Sequence, residues 1–352
     1  MANLSNRWIG ALLAAALTVF SATASAKDDY RIAWSIYVGW MPWGYAQDAG
    51  IVDRWAEKYG ITIEVVQFND YIESINQYTA GAFDGCTMTN MDALTIPAAG
   101  GVDSTALIVG DFSNGNDGIV LKGAGKSLAD LRGQDVNLVE LSVSHYLLAR
   151  ALASVDMTER DLTVVNTSDA DIVAAFSTDD VTAAVTWNPL LAEITSLPDV
   201  SPVFDSSQIP GEIIDMLVVS TEAAADPRLG KALVGAWYET MATMSSEGGD
   251  GAKTQMAEAS GTDLAGYEAQ LAATQMFYTP QPAVEFVRSD ALRETMANVT
   301  AFSFEHGLLG EGAPDAGYIG IELPGGEVLG STTNVKLRFT DIYMSLAADG
   351  EL

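Results

Sequence analysis

Cysteine is nearly absent: Cys86 is the only one in 352 residues, which excludes an intramolecular disulfide. It lies in an apolar run, as a buried small hydrophobe would. Histidine is almost as scarce. His145 and His306 are the only two and lie far apart in sequence, so no zinc-type metal site is expected, and no cofactor. His145 at a helix start reads as a satisfied polar residue. Basic residues are also few, 17 Lys and Arg against 47 Asp and Glu, giving a formal net charge of −30. That balance supplies no broad positive face, so nucleic acid is excluded as a partner and anionic membranes are disfavoured. The summed field would draw a cationic solute, although a merely solvated acidic surface has the same composition. Calcium held by carboxylates stays open, but there is no twelve-residue EF-hand loop. There is no G-x-S-x-G elbow and no H-E-x-x-H pair. Gly125-Lys126-Ser127 resembles the end of a phosphate-binding loop, but Val120 stands where its first glycine belongs.

Long apolar runs are confined to the first residues. Arg7 is a positive n-region, Trp8 to Phe20 are almost all apolar, and Ala24-Ser25-Ala26 ends in a signal-peptidase pattern. The apolar stretch is about 13 residues, short of the roughly 20 that span a bilayer. A secretory leader over residues 1–26 is therefore expected, with cleavage near Ala26 and a soluble periplasmic product starting at Lys27. No cysteine follows the cut, so no lipid anchor is expected there.

From Lys27 onward, β-like and helix-like runs alternate, the pattern of a mainly parallel sheet covered by helices. Strands are expected at Tyr30–Ile36, Thr62–Phe68, Cys86–Thr89 and Ser104–Gly110, with helices at Gly44–Tyr59, Tyr71–Ala80 and Met91–Ala99. A second, smaller α/β unit follows. Its strands are Ile119–Leu121, Asp135–Glu140, Leu162–Val165 and Val181–Trp187, and its helices Tyr146–Ser154 and Asp171–Phe176. After a strand at Leu217–Ser220 the chain reads as largely helical to about Leu309. Tyr318–Gly330 is Gly-rich and β-like, and Arg338–Ala347 reads as helical. Such a chain crosses between units twice, near Asp111 to Asp117 and near Met216 to Thr221. One lobe is then residues 27–112 plus 219–352, and the other is 113–218. Two crossings make a hinge, and ligands of open α/β sheets sit beyond the carboxyl ends of the strands.

The leader, the segment Asp130 to Val136 (DLRGQDV), the run Ala174 to Pro189 (AAFSTDDVTAAVTWNP) and the order of elements resemble periplasmic solute-binding proteins of the nitrate/sulfonate/taurine transporter class. The resemblance spans essentially all of residues 27–352. Cys86 to Ile119 and Asn334 to Met344 look like the subgroup associated with urea carboxylase. The resemblance implies a two-lobed periplasmic-binding-protein (Venus flytrap) fold, type II-like. It also implies a monomer without catalysis that delivers a small solute to an inner-membrane ABC permease. The subgroup implies a guanidinium-like or urea-like solute. Three alternatives stay open: a sulfonate, taurine or nitrate binder, an enzyme on the same fold related to pyrimidine synthesis, and a sensory module serving a receptor.

A planar nitrogenous solute needs aromatic faces and in-plane carboxylates or carbonyls. Strand ends supply both: Trp40 and Trp43 after the first strand, Asp70 and Tyr71 after the second, Asn90 and Asp92 after the third, and Asp117 at the first crossing. Trp34 and Trp55 read as core. The second unit offers Glu140, Ser144, Trp187 and Asn188, and Asp215 lies near the second crossing. In anion binders of the class the helix start near Ser142 to His145 receives an oxyanion through free N–H groups, and Glu140 facing the cleft would repel one. Glu140 supporting the helix dipole is the other reading, as N-capping is for Asp70 and Asp92.

Overall fold

The structure, a computed structural model, describes residues 27–352, so the leader expected over 1–26 lies outside the described residues. The first part runs β1 (Asp29–Ser35), α1 (Met41–Asp48), α2 (Ile51–Lys58), β2 (Thr62–Phe68), α3 (Tyr71–Thr79), β3 (Gly85–Thr89), α4 (Asn90–Ala93) and β4 (Ser104–Ser113). A second unit follows: β5 (Asp117–Lys122), β6 (Asp135–Leu138), α5 (Val143–Ala153), β7 (Thr163–Asn166), α6 (Asp169–Phe176), β8 (Ala183–Trp187), α7 (Leu190–Thr195) and β9 (Val200–Asp205). The chain then returns through β10 (Ile214–Ser220), α8 (Thr221–Ala224), α9 (Pro227–Ser245), α10 (Asp250–Ala259), α11 (Leu264–Ala272), β11 (Thr274–Met276), α12 (Pro280–Val287) and α13 (Asp290–Glu305). It closes with β12 (Gly320–Glu322), β13 (Val328–Leu329), β14 (Val335–Phe339) and α14 (Ile342–Asp349).

Two sheets organise these elements. The large one is ordered β13-β12-β14-β4-β10-β3-β1-β2, with β11 on β4; the small one is β7-β6-β8-β5-β9. β1 is parallel to both β2 and β3, whereas β10 runs antiparallel between β3 and β4. Ile32, Ala33 and Trp34 of β1 are buried with neighbours on both faces, which is why that strand reads as a continuous apolar run. Helices cover the sheets by their apolar stripes. In α2, Ile51, Val52 and Ala56 face inward while Asp53, Arg54, Glu57 and Lys58 face out or lie at the edge.

Several sequence expectations are corrected here, each for a local reason. The single helix expected over Gly44–Tyr59 is two, broken at Gly50, whose φ of +66° belongs to the left-handed region that glycine enters freely. The helix expected over Met91–Ala99 continues α4 as a π-turn at Leu94–Ala98 around Pro97, which has no N–H for a regular helical bond. Arg338–Ala347 is not one helix. Its start belongs to β14, paired with β4 and β12, and the helix begins at Ile342. β9 was not expected; its Pro202 is tolerated because β9 is an edge strand paired only with β5.

The first crossing between sheets lies at residues 114–116, within the expected stretch. The second lies at residues 206–213, ahead of the expected Met216 to Thr221, because Met216 to Val219 are buried in β10 and paired on both sides within the large sheet. The crossings are tied together and to the large lobe. Ser206 and Ser113 hydroxyls bond at 2.6 Å, and the Gly115 N–H donates to Ser206 Oγ at 2.7 Å. Asn90 braces the second crossing from α4: its Nδ2 donates to Glu212 O at 3.1 Å, and its Oδ1 accepts from the Ile214 N–H at 3.1 Å. Asn90→Ala would strip partners from two buried backbone groups, at about 1–3 kcal/mol for each group left unsatisfied. A lower urea midpoint with unchanged m-value is expected; an unaltered midpoint would show that Asn90 is not a strut.

Candidate functional site

Between the sheets lies a small cavity of about 250 Å³ of free volume. The large lobe contributes Tyr37, Trp40, Tyr71, Thr89 and Asp215, the small lobe contributes Asp117, Val143 and Trp187, and Ile213 comes from the second crossing. The cavity is tight, with about the room one water needs. A larger groove bounded by Lys27, Asp84, Asp226 and Arg228 opens to solvent elsewhere on the large lobe, where its charges already pair with one another.

Four rings wall the cavity. Tyr37 meets Trp40 edge-on at 5.1 Å between centroids, Trp40 lies 5.5 Å from Tyr71, and Tyr71 meets Trp187 edge-on at 5.6 Å, so the chain of rings spans both lobes. Carboxylates form its other element. Asp215 and Asp111 sit opposite each other on β10 and β4, and Asp117 opens β5 just past the first crossing. All three are buried. Tyr37 donates its hydroxyl to Asp111 Oδ1 at 3.1 Å, while Asp111 Oδ2 and Asp215 Oδ2 are buried without geometrically sound partners. A Cβ on Gly39 would come within 2.5 Å of Asp111 Oδ2, so only a residue without a side chain lets that loop close over the acid.

Burial pushes all three acids up. Asp117 rises to about 7, chiefly by desolvation. Asp111 and Asp215 both rise for the same reason, and Asp215 climbs further because the charges of Asp111 and Asp117 disfavour its own. Among the groups acting on these three there is no lysine, arginine or histidine. The site is an acid cluster without a counter-ion.

Asp92 is a fourth buried acid, also pushed up by desolvation, to about 6. Its Oδ2 accepts from Tyr71 Oη at 2.7 Å and Thr89 Oγ1 at 2.8 Å, fixing the Tyr71 ring from behind. Its Oδ1 lacks a partner of good geometry, yet the Val143 N–H at the start of α5 is near enough to offset part of the desolvation. The remaining N–H groups of that turn are spoken for: Ser144 N–H donates to Ser142 Oγ at 3.2 Å, and His145 N–H to Ser142 O at 3.0 Å. At the lip, Ser168 Oγ donates to Asp70 Oδ2 at 2.7 Å, and the Tyr71 N–H lies 3.2 and 3.3 Å from the two oxygens of Asp169. These contacts join α3 of one lobe to α6 of the other. The lobes are shut.

Of the twelve residues singled out in the sequence, Trp40, Tyr71, Asp117, Trp187 and Asp215 line the cavity. Asp92 supports Tyr71, and Asp70 caps α3 while holding the lip. The others go elsewhere. Trp43 stacks on Trp237 at 5.2 Å in the large-lobe core, because α1 begins at Met41 and turns that ring inward. Asn90 braces the crossing, and Asn188 donates to Asn116 Oδ1 at 2.6 Å beside the hinge. Ser144 is buried without lining the cavity, and Glu140 is exposed. Sequence reasoning missed Tyr37, Thr89, Val143, Ile213 and Asp111. Tyr37 carried the same signal as Trp40, a large aromatic just past the first strand. Asp111 marked the start of the expected crossing and was not weighed as an acid. Cys86 is buried as expected, and its thiol is pushed up to about 12 by burial. The two histidines, far apart in sequence, are brought together on Glu159 outside the cavity, which corrects the expectation that they could not share a site.

The two sheets, joined by two crossings and closed on a cavity, define the periplasmic-binding-protein fold. The structure is similar to an alkanesulfonate-binding protein from Xanthomonas axonopodis bound to MOPS, with TM-score 0.67 and 18% identity over 82% of this chain and 96% of that one. It is likewise similar to the periplasmic aliphatic sulphonate-binding protein of Escherichia coli, with TM-score 0.66 and 18% identity over 81% of this chain and 95% of that one. A sequence profile described as NMT1/THI5 like matches residues 45–224. The chain belongs to the NMT1/THI5-like family. A protein of Brucella abortus named as a binding protein is 28% identical over 138 residues, 39% of this chain; the match spans 42% of that relative's length. No helix among the described residues is long and apolar enough to cross a membrane.

The acid cluster sets a pH dependence. Asp117, Asp111 and Asp215 hold their protons to higher pH when folded than when unfolded, so between the ordinary carboxylate value and about 7 the folded state binds more protons. Their contribution to stability therefore falls as pH rises through that window. Asp215→Asn removes one of the interacting charges. Its melting temperature relative to the unmodified protein should be higher at pH 8 than at pH 5 by scanning fluorimetry; equal differences at both pH values would refute the buried-acid account.

Proposed function

We propose that this chain is the periplasmic solute-capturing component of an ABC importer, that it acts as a monomer without catalysis, and that its solute is a small planar nitrogen compound, guanidinium-like or urea-like. The fold likeness and the binding-protein relatives support the broad class. The solute rests on one observation: two buried carboxylates, Asp117 and Asp215, with Asp111 behind Asp215 and no basic partner acting on any of the three, in a cavity walled by four aromatic rings and lined by no lysine, arginine or histidine. A cation over such a ring gains about 0.5–2 kcal/mol, and each charge-assisted hydrogen bond about 1.5–3 kcal/mol. The shut cavity has room for about one water, so a guest enters only as the lobes part. Trp40 Nε1, buried without a partner, adds one donor, which a urea carbonyl could accept and a guanidinium could not. The likeness of Cys86 to Ile119 and Asn334 to Met344 to the urea carboxylase-associated subgroup points the same way.

Two structural neighbours are named as sulfonate binders, which favours a sulfonate as the second reading. The electrostatics weigh against it. An anion would find carboxylates in place of cations, and the start of α5, its natural seat, already faces Asp92. An enzymatic reading lacks material too: no histidine or cysteine lines the cavity.

A thermal-shift panel of guanidine, urea, small amines, taurine and nitrate tests the solute. A ligand at about 100 times its dissociation constant stabilises by about 2.7 kcal/mol. A response to taurine or nitrate alone would overturn the proposal. Trp187→Ala should weaken the responding ligand at least about tenfold, which corresponds to about 1.4 kcal/mol. For a cationic ligand, affinity should rise from pH 5 to 8 as the cluster ionises, and this slope should flatten in Asp117→Asn.

A further inference from the structure

The chain's two histidines meet on one carboxylate, away from the solute cavity. His145 Nε2 lies 3.1 Å and His306 Nε2 2.8 Å from Glu159 Oε1, with the rings 5.5 Å apart. The three residues come from opposite lobes. His145 lies on α5 and Glu159 opens the short turn Glu159–Asp161 ahead of β7, both in the small lobe, whereas His306 caps α13, which packs on α4 and α12 of the large lobe. Phe302 of α13 fixes the arrangement, stacking on His306 at 4.0 Å and meeting the Tyr146 ring of α5 edge-on at 5.1 Å.

Hydrogen bonds at the other ring nitrogens fix where the protons are. His306 Nδ1 lies 2.9 Å from Phe302 O, and a carbonyl can only accept, so Nδ1 carries a hydrogen. A neutral His306 would then point its Nε2 lone pair at a carboxylate oxygen, a contact between two acceptors. Only the imidazolium, with a hydrogen on each nitrogen, makes both contacts favourable. His145 is different. Its Nδ1 accepts from the Leu141 N–H at 3.1 Å, so that nitrogen is unprotonated and Nε2 bears the hydrogen; it lies 3.1 Å from Glu159 Oε1 but out of line for a good hydrogen bond, so the His306–Glu159 contact carries the link between lobes. That tautomer has no Nε2 lone pair to give a metal, which leaves Glu159 and His306 as the sole free donors of the trio, too few for a closed site.

We propose that His306, Glu159 and His145 form a proton-operated latch that holds the lobes shut when His306 is charged and releases them as it loses its proton. Glu159 is held below the usual carboxylate range, first by His145 and then by His306, so it is ionised wherever an imidazole titrates. The two imidazoles are the only charged or titratable side chains acting on it from the elements packed there. Arg150, the nearest base on α5, is spent on Glu212 at 2.8 Å, and Arg132 pairs with Asp161. Protonation favours the shut form at low pH. Deprotonation with rising pH turns an attraction between lobes into a repulsion between lone pairs.

The test needs no solute, so its failure is separate from that of the solute reading. Imidazole ¹⁵N NMR on the unmodified protein should show, at pH 5.5, one histidine protonated on both nitrogens and the other as the Nε2–H tautomer; having only two histidines makes the assignment direct. X-ray scattering should show the solute-free protein expanding between pH 5.5 and 8 by more than Glu159→Gln and His306→Gln do, since those variants keep only the contribution of the acid cluster; equal expansion in all three would overturn the latch. Two neutral rings at pH 5.5, or a radius of the unmodified protein that ignores pH, would overturn the latch. So would compaction by added zinc at pH 8 that His306→Gln abolishes, because the trio would then be a metal centre.

Discussion

Everything at the centre of this molecule follows from burying carboxylates without a cation. An isolated charge is costly in a low-dielectric interior, and proteins usually answer with an ion pair or metal, or by letting the group take up a proton. Here the third answer holds. Asp111, Asp117 and Asp215 keep protons well above the normal range, Asp111 and Asp215 face each other across β4 and β10, and Tyr37 donates to Asp111. The arrangement leaves oxygens unpartnered beside a cavity that opens between two lobes. Ionising any of the three there would be costly, because no basic side chain acts on them.

The same acids sit where the chain changes lobes. Asp111 lies near the end of β4, Asp117 begins β5 immediately after the first crossing, and Asp215 follows the second crossing at the start of β10. Hinge and site thus share residues. The Ser113 hydroxyl receives the Asp117 N–H at 3.1 Å and bonds Ser206, so the crossing network positions Asp117. A motion at the hinge moves Asp117 relative to Asp215.

Much of the fold was legible because its strands read as apolar or alternating runs; β2, an edge strand whose first residues alternate between exposed and buried, falls on Thr62–Phe68 as expected. What failed was local. Gly50, Pro97 and Pro202 each impose backbone behaviour that apolar patterning does not carry, and in Val335–Phe339 a short period-2 stretch was absorbed into a helical reading. The site was half legible. Residues just past strand ends were the right place to look, and Trp40, Tyr71 and Asp117 follow that rule. Trp43 shows its limit, because three residues further along a helix the side chain has rotated toward the core. His145 and His306 show another limit, since sequence separation says nothing about elements that fold onto one another.

Closure and capture are then one equilibrium seen from two sides. A guest that bonds Asp215 on the large lobe and Asp117 on the small one gains both contacts only when the lobes are shut, so its differential affinity for that form is the whole of its power to close them. Aromatic contacts behave alike: Trp40 and Tyr37 belong to one lobe and Trp187 to the other, and only the shut form brings Trp187 against Tyr71. Contacts at the rim, such as Ser168 with Asp70 and the Tyr71 N–H with Asp169, need no guest and bias the empty protein toward the same form. Ionisation of the acid cluster at higher pH would oppose them. On the proposed reading, the two terms oppose each other, and a guest that neutralised the buried acids would tip the balance toward the shut form.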